Sequence, residues 1–205
     1  PILQRIAETV KPVIISVGAL AVSDIHRVVS FFEHRGIDFA LMHCVAIYPT
    51  PVNQLSLDKI EVLKRRYPHL TIGFSTHEDS KNVLAIGLAY ARGARIFEKH
   101  VGVPTDKIKL NAYSASPDQV RKWLTVYQMA VDSAKDGSIE TVEVEKADLR
   151  SLMRGVFAKK EITAGRTILR DDVFFAIPLL DDEQLTSGKF KDGLVAPRVY
   201  KAGEA

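Results

Sequence analysis

Along the first hundred residues one pattern recurs: a short, nearly unbroken apolar run, a polar tip, then a stretch with apolar residues every three or four positions. The runs are Val13–Val17, Phe39–Met42, Thr71–Phe74 and Arg95–Phe97. Their tips carry Ser16, then His43 with the loop to Tyr48, then Ser75 with His77, then Glu98 with His100. Runs rich in Val, Ile, Leu and Phe predict parallel strands buried on both faces. Between them the periodicity predicts helices over 24–35, 56–66 and 79–92, preceded by an amphipathic helix over 1–10 with Ile2, Leu3, Ile6 and Val10 on one side. Ser23-Asp24 reads as an N-cap, and Gly36 and Gly93 sit where glycine follows a helix end. Ser116-Pro117-Asp118 starts a long helix to about Lys135.

Strand–helix alternation at this spacing predicts βαβ units, with the chemistry gathered at the C-terminal ends of the strands. Closing a barrel takes about eight strands. The α/β fold is therefore either an open sheet or the C-terminal half of a TIM (β/α)8 barrel. The abrupt start at PILQRIAETV, and the long edges an open sheet would leave, favour the half-barrel. Past Gly137 the pattern changes. SIETVEVEKADLR is charged and alternating, which predicts a linker over 137–149 or a leading strand. A faint repeat follows: Phe157–Gly165 and Val195–Gly203 share the form A-x-x-x-(apolar)-x-A-G. Two such copies predict a small β-rich domain over 150–205 built on paired turns. The second copy runs into Ala205, so the chain reads as trimmed at both ends.

Composition narrows the classes. A chain of 205 residues, 46% hydrophobic, is ordinary globular material with room for one good core and a small second domain. No run approaches the roughly 20 apolar residues of a membrane helix, so no membrane partner is expected. The net charge of +3 suits solubility or an anionic substrate, and no basic stripe with interleaved aromatics points to nucleic acid. The single cysteine, Cys44, excludes an internal disulfide framework and fits a reducing, cytoplasmic setting. Cys44 reads as a small hydrophobe and His43 as a satisfied buried histidine, while His26, His34 and His69 read as solvated.

HCVAIYPTP at 43–51, GFSTHED at 73–79 and FEKH at 97–100 resemble the sialic acid synthase family, whose members condense phosphoenolpyruvate with an N-acylated amino-sugar aldehyde to make nonulosonic acids. RGVFAKKEITAGRTILRDDVFF is similar to the family's C-terminal SAF (antifreeze-like) domain, a β-clip unit. The resemblance implies the second half of the synthase barrel over 1–136, a linker over 137–149, and a C-terminally incomplete SAF domain over 150–205. It implies His77 and His100 as ligands of a divalent metal, Mn²⁺ by preference with Mg²⁺, Zn²⁺ or Co²⁺ as alternatives. It also implies Ser16 and Ser75 on phosphoenolpyruvate, Tyr48 and Asn111 on the acceptor, and Glu98 and Tyr48 as the catalytic candidates. Glu98 has two further roles open to it: orienting a ligand histidine, or pairing with Lys99 or Arg95. The implied assembly is a domain-swapped homodimer with Phe174, Phe175 and Ile177 near the other subunit's barrel mouth.

Three positions depart from members that use N-acetylmannosamine: Ala46 for a loop asparagine, Asn111 for an aspartate and Ile177 for an arginine. Val17 and Thr76 stand where the family often has Thr and Asp. Losing polar groups on the sugar side predicts a different acceptor, because a site built to hydrogen-bond a hydroxyl discriminates strongly. Two rival readings remain: another metal-dependent barrel aldolase or keto-acid synthase, and a non-catalytic, saccharide-binding relic.

Overall fold

Each N-terminal apolar run forms a strand in this computed structural model, which describes residues 2–134, 137, 140, 142–181 and 183–205. The strands are β1 (Val13–Ser16), β2 (Phe39–Cys44), β3 (Thr71–Thr76) and β4 (Ile96–Lys99), in one parallel sheet of order β1-β2-β3-β4. The helices are α1 (Ile2–Ala7), α2 (Val22–Glu33), α3 (Asp58–Arg66), α4 (Leu84–Ala91) and α5 (Pro117–Ser133). The result is an α/β unit with a parallel half-barrel sheet. The chain divides into two compact units, Pro1–Gly137 and Ser138–Ala205. Among the described residues no helix is long and apolar enough to cross a membrane.

Register decides which side chains meet. Ser16 pairs with Met42, Met42 with Gly73 and Gly73 with Ile96; one step further on, Cys44 pairs with Ser75 and Ser75 with Glu98. Side chains alternate along a strand, so these two rows share one face. The other face carries Val17, Leu41, Ile72 and Phe74 into the main core, against Ile25 and Val29 of α2, Ile60 and Leu63 of α3, and Ala85 and Ala89 of α4. Phe97, also on that face, meets Trp123 and Tyr127 of α5 edge-on. Burying Phe74 alone contributes roughly 2–3 kcal/mol.

Several boundaries move for local reasons. Helix α2 begins at Val22 with Ala21 as its N-cap and no side-chain cap, so Ser23-Asp24 lies inside the first turn. Helix α4 begins only at Leu84. Ahead of it, the Asp79 and Asn82 side chains accept hydrogen bonds from the backbone N–H groups of Lys81 and Leu84, which holds 79–83 in turns. At α5 the expected start holds: Ser116 Oγ accepts from Gln119 N, and Gln119 Oε1 accepts from Ser116 N. Lys135, the expected end of this helix, lies outside the described residues.

In the second unit, the stretch read as linker or leading strand contains a helix, α6 (Glu143–Ser151). The Val142/Val144 alternation suggested extension. The charges decide otherwise: Glu143 and Glu145 lie in the first turn and Arg150 in the last, complementing the helix dipole. Two antiparallel pairs follow, β5 (Gly155–Ala158) with β7 (Val173–Ala176), and β6 (Thr167–Ile168) with β8 (Leu194–Val195). The faint repeat becomes an internal two-fold. Gly165 N donates to Ala196 O and Gly203 N to Ala158 O, both at 2.8 Å; Ala158 N donates to Glu204 O and Ala196 N to Arg166 O; Ile162 and Tyr200 bond reciprocally. Each copy thus completes the other's backbone, around a small core of Ala158, Ile162 and Ala196.

Candidate active site

The C-terminal tips of β2, β3 and β4 gather most of the chemistry-bearing side chains. Ser75 is buried and donates from Oγ to Glu98 Oε1 at 3.1 Å, the carboxylate being its register partner on β4. Two residues further along each chain, on the same face, stand His77 and His100, with ring centroids 5.1 Å apart and planes at 59°. His77 is buried and His100 exposed. Burial first, then the adjacent His100, hold the His77 imidazole below its ordinary pKa, while Glu98 pulls the other way. His77 is therefore favoured in the neutral form that carries a lone pair.

Two loops complete the corner. Behind β2 the YPTP loop is tied down because Thr50 N donates to His77 O at 2.9 Å and Thr50 Oγ1 to Ile47 O. That places the Tyr48 ring edge-on to His77, at 4.4 Å between centroids. After β4, Ala115 N donates to His100 O, Gly102 N to Ala115 O and Ser80 N to Ala112 O, which folds 101–115 back toward the histidines. Tyr113 then stands 5.2 Å from the His100 ring and 5.5 Å from the Tyr48 ring.

Ser16 ends β1 on the same face, one row before Ser75, and is exposed. Asn111 is exposed, but its Oδ1 already accepts from the N–H groups of Tyr113 and Ser114, at 3.2 and 2.8 Å. In this structure its side-chain oxygen builds the turn that presents Tyr113. Glu98 pairs with neither Lys99 nor Arg95; it takes the Ser75 hydroxyl, and Lys99 instead reaches buried Glu78. Cys44 is half-buried and its Sγ lies 3.8 Å from His77 Nδ1. His43 is fully buried on the opposite face, where its ring nitrogen bonds the Leu55 carbonyl. His69, expected to be free in solvent, is exposed yet meets Glu33 at 2.7 Å.

Sequence reasoning missed two features. Tyr113 carried no signal beyond being an aromatic in a polar loop between a tip histidine and a helix cap. The Glu78–Lys99 pair was written in the sequence as His77-Glu78 and Lys99-His100, a charge beside each tip histidine.

His77 and His100 are the side chains of this corner that could hold a metal ion, imidazole being a ligand for Mn²⁺, Zn²⁺ or Fe²⁺; among the described residues no group of three or more His, Cys, Asp and Glu is placed to do so.

Comparison with known proteins gives the frame. A family profile, that of the NeuB family, matches residues 1–154. A solved structure of a protein assigned as spore coat polysaccharide biosynthesis protein E, from Chromobacterium violaceum, is 45% identical with a TM-score of 0.73, over 99% of this chain and 61% of that one. The N-acetylneuraminate-9-phosphate synthase of Drosophila melanogaster is 40% identical over 101 residues, 49% of this chain and 27% of its own length. Pseudaminic acid synthase of Campylobacter jejuni is 26% identical over 173 residues, 83% of this chain and 49% of its own length. The chain spans about half the length of most curated relatives it matches.

Proposed function

Because the chain belongs to the NeuB family, we propose that it forms the metal- and acceptor-side half of a nonulosonic acid synthase. The reaction joins phosphoenolpyruvate to an N-acylated amino-sugar aldehyde, takes up water and releases phosphate. The observation that carries this reading is the meeting of Ser75, Glu98, His77, His100 and Tyr48 at one corner of the sheet. An aldolase or keto-acid synthase of another family lacks the support of the family match.

His77 and His100 would hold the divalent cation, Mn²⁺ by preference. When bound, it supplies Lewis acidity toward the acceptor's carbonyl oxygen. The chain's own residues do the rest. The Ser75 hydroxyl has one hydrogen, now given to Glu98. A substrate phosphate or carboxylate takes that hydrogen bond over, with Ser16 one row away as a second donor, and Glu98 is left free to accept a proton. C3 of phosphoenolpyruvate then bonds to the acceptor's carbonyl carbon. Water oxygen adds at C2 and Glu98 passes one of the water's protons to the acceptor oxygen; the C2–O bond to phosphate then breaks as the new C2 hydroxyl becomes the keto group and its proton leaves with the phosphate.

Tyr48 and Tyr113 form an aromatic wall beside the histidines. Ala46 offers no hydrogen bond, and the Asn111 oxygen is already used. This lining suits an acceptor with an apolar face, such as a 6-deoxy or diacetamido hexose. The reading also takes residues 150–205 as a SAF-type unit, supported by the internal two-fold of Phe157–Gly165 and Val195–Gly203, and the intact protein as a homodimer, which light scattering at tens of micromolar checks.

The test is phosphate release by the intact protein from phosphoenolpyruvate with a panel of aldoses, and the product's mass. A modified hexose should give the highest specificity constant. No phosphate release with any acceptor refutes the synthase reading; N-acetylmannosamine ranking first refutes the acceptor assignment alone.

A further inference from the structure

The two histidines lie just past the point where their strands stop holding each other. The β3–β4 ladder ends at the pair Thr76–Lys99, so His77 and His100 stand beyond the last register pair. On the opposite face of the sheet, Glu78 and Lys99 form an ion pair, Nζ to Oε1 3.4 Å, with side chains 0% and 3% exposed. Each partner is covalently next to one histidine. The Thr50–Glu78 bridge and the bond from Thr50 N to His77 O brace the same segment from the β2 side.

As a stabilising device this pair is poorly made. Glu78 Oε2 and the neighbouring Thr76 Oγ1 are buried and lack a hydrogen-bond partner. Replacing a buried ion pair by apolar side chains of similar volume is often neutral or stabilising. Stability alone would be served better by Leu and Met here.

We propose that Glu78 and Lys99 are a positioning pair. By tying the segment after β3 to the end of β4, they set the separation of the two imidazoles, and so the affinity for a divalent cation, rather than holding the fold together. This rests on the reading of His77 and His100 as metal ligands. Metal sites tolerate only small errors in ligand distance, and losing a supporting partner commonly costs about 10–100-fold in affinity.

The experiment uses the intact protein, Mn²⁺ alone as probe, calorimetry for affinity and thermal unfolding without metal for stability. The double variant Glu78→Leu/Lys99→Met should unfold at or above the wild-type temperature and bind Mn²⁺ about 10-fold or more weakly. The exchanged variant Glu78→Lys/Lys99→Glu restores the tie and should recover most of the affinity. Wild-type affinity in the apolar double variant overturns the proposal. So does an apolar double variant that unfolds well below wild type or fails to fold, since the pair is then structural. No recovery in a folded exchanged variant overturns it too. Unchanged Mn²⁺ affinity in both His77→Ala and His100→Ala overturns the metal reading itself, and is distinguishable because the Glu78–Lys99 pair is intact there.

Discussion

Gly73→Ala tests how the half-barrel face is packed beneath the site. A Cβ on Gly73 would fall 2.2 Å from Met42 Sδ, 2.6 Å from Ile96 O and 3.0 Å from Ile96 Cβ. Met42 is 1% exposed, so its sulfur has little room to retreat, although a methionine can change rotamer. The Ile96 oxygen cannot turn aside. It belongs to the backbone of β4, paired in register with Gly73, and can withdraw only if the β3–β4 spacing widens. Overpacking of this kind costs about 1–3 kcal/mol, and a backbone obstacle places it near the upper end. At roughly 2–4 °C per kcal/mol, the melting temperature should fall by about 6–12 °C. Widening also carries Glu98 and His100 away from Ser75 and His77, so Mn²⁺ affinity should fall with it. Gly36→Ala is the control. Gly36 has φ +62° but no atom within 4 Å of the added Cβ, so only the backbone penalty of about 1–2 kcal/mol applies, with no change in metal binding. Thermal unfolding by circular dichroism and calorimetric Mn²⁺ titration read both effects. A Gly73→Ala protein that melts within about 2 °C of wild type, or no lower than Gly36→Ala, would falsify the packing argument.

Tyr113→Ala should raise the acceptor's KM about tenfold, from an aromatic contact worth roughly 1.5 kcal/mol, and leave the KM for phosphoenolpyruvate unchanged, while Tyr113→Phe stays near wild type; equal shifts in both KM values would contradict the wall at the acceptor side. Ser116→Ala removes one half of the capping box that starts α5 and should cost about 1 kcal/mol, read as a lower urea midpoint with no loss of Mn²⁺ affinity; an unchanged midpoint would show the cap to be idle. Burial holds the His43 imidazole below its ordinary pKa, against the pull of its Leu55 hydrogen bond. The unfolded chain therefore takes up the proton first, so stability is full above pH about 6.5 and declines as pH falls below it. His43→Gln should flatten that slope in a pH series of urea midpoints, and a slope equal to wild type would refute the assignment to His43.

The four strands were legible because a buried parallel strand advertises itself as a short apolar run, and the glycines at 36 and 93 marked the ends they were expected to mark, at φ +62° and +102°. Where local chemistry competed, the pattern misled. Asp79 and Asn82 hold turns ahead of α4, and the charges of Glu143, Glu145 and Arg150 override the Val142/Val144 alternation. The C-terminal repeat was visible as nine-residue similarity, but its meaning lies in hydrogen bonds crossing between the copies, from Gly165 to Ala196 and from Gly203 to Ala158.

For the candidate site, the sequence by itself determined which polar groups end the strands, since the two-residue period and the strand boundaries put Ser75, His77, Glu98 and His100 at neighbouring tips. Only the tertiary structure decided what those groups meet. Asn111 turned out to spend its oxygen on the backbone of its own loop, Tyr113 came to stand beside the histidines, and Lys99 passed over its neighbour Glu98 for Glu78. The reason is physical: alternation tells which face a side chain takes, but partners across strands and loops are chosen by register, loop closure and the need of each buried charge for a counter-charge within reach.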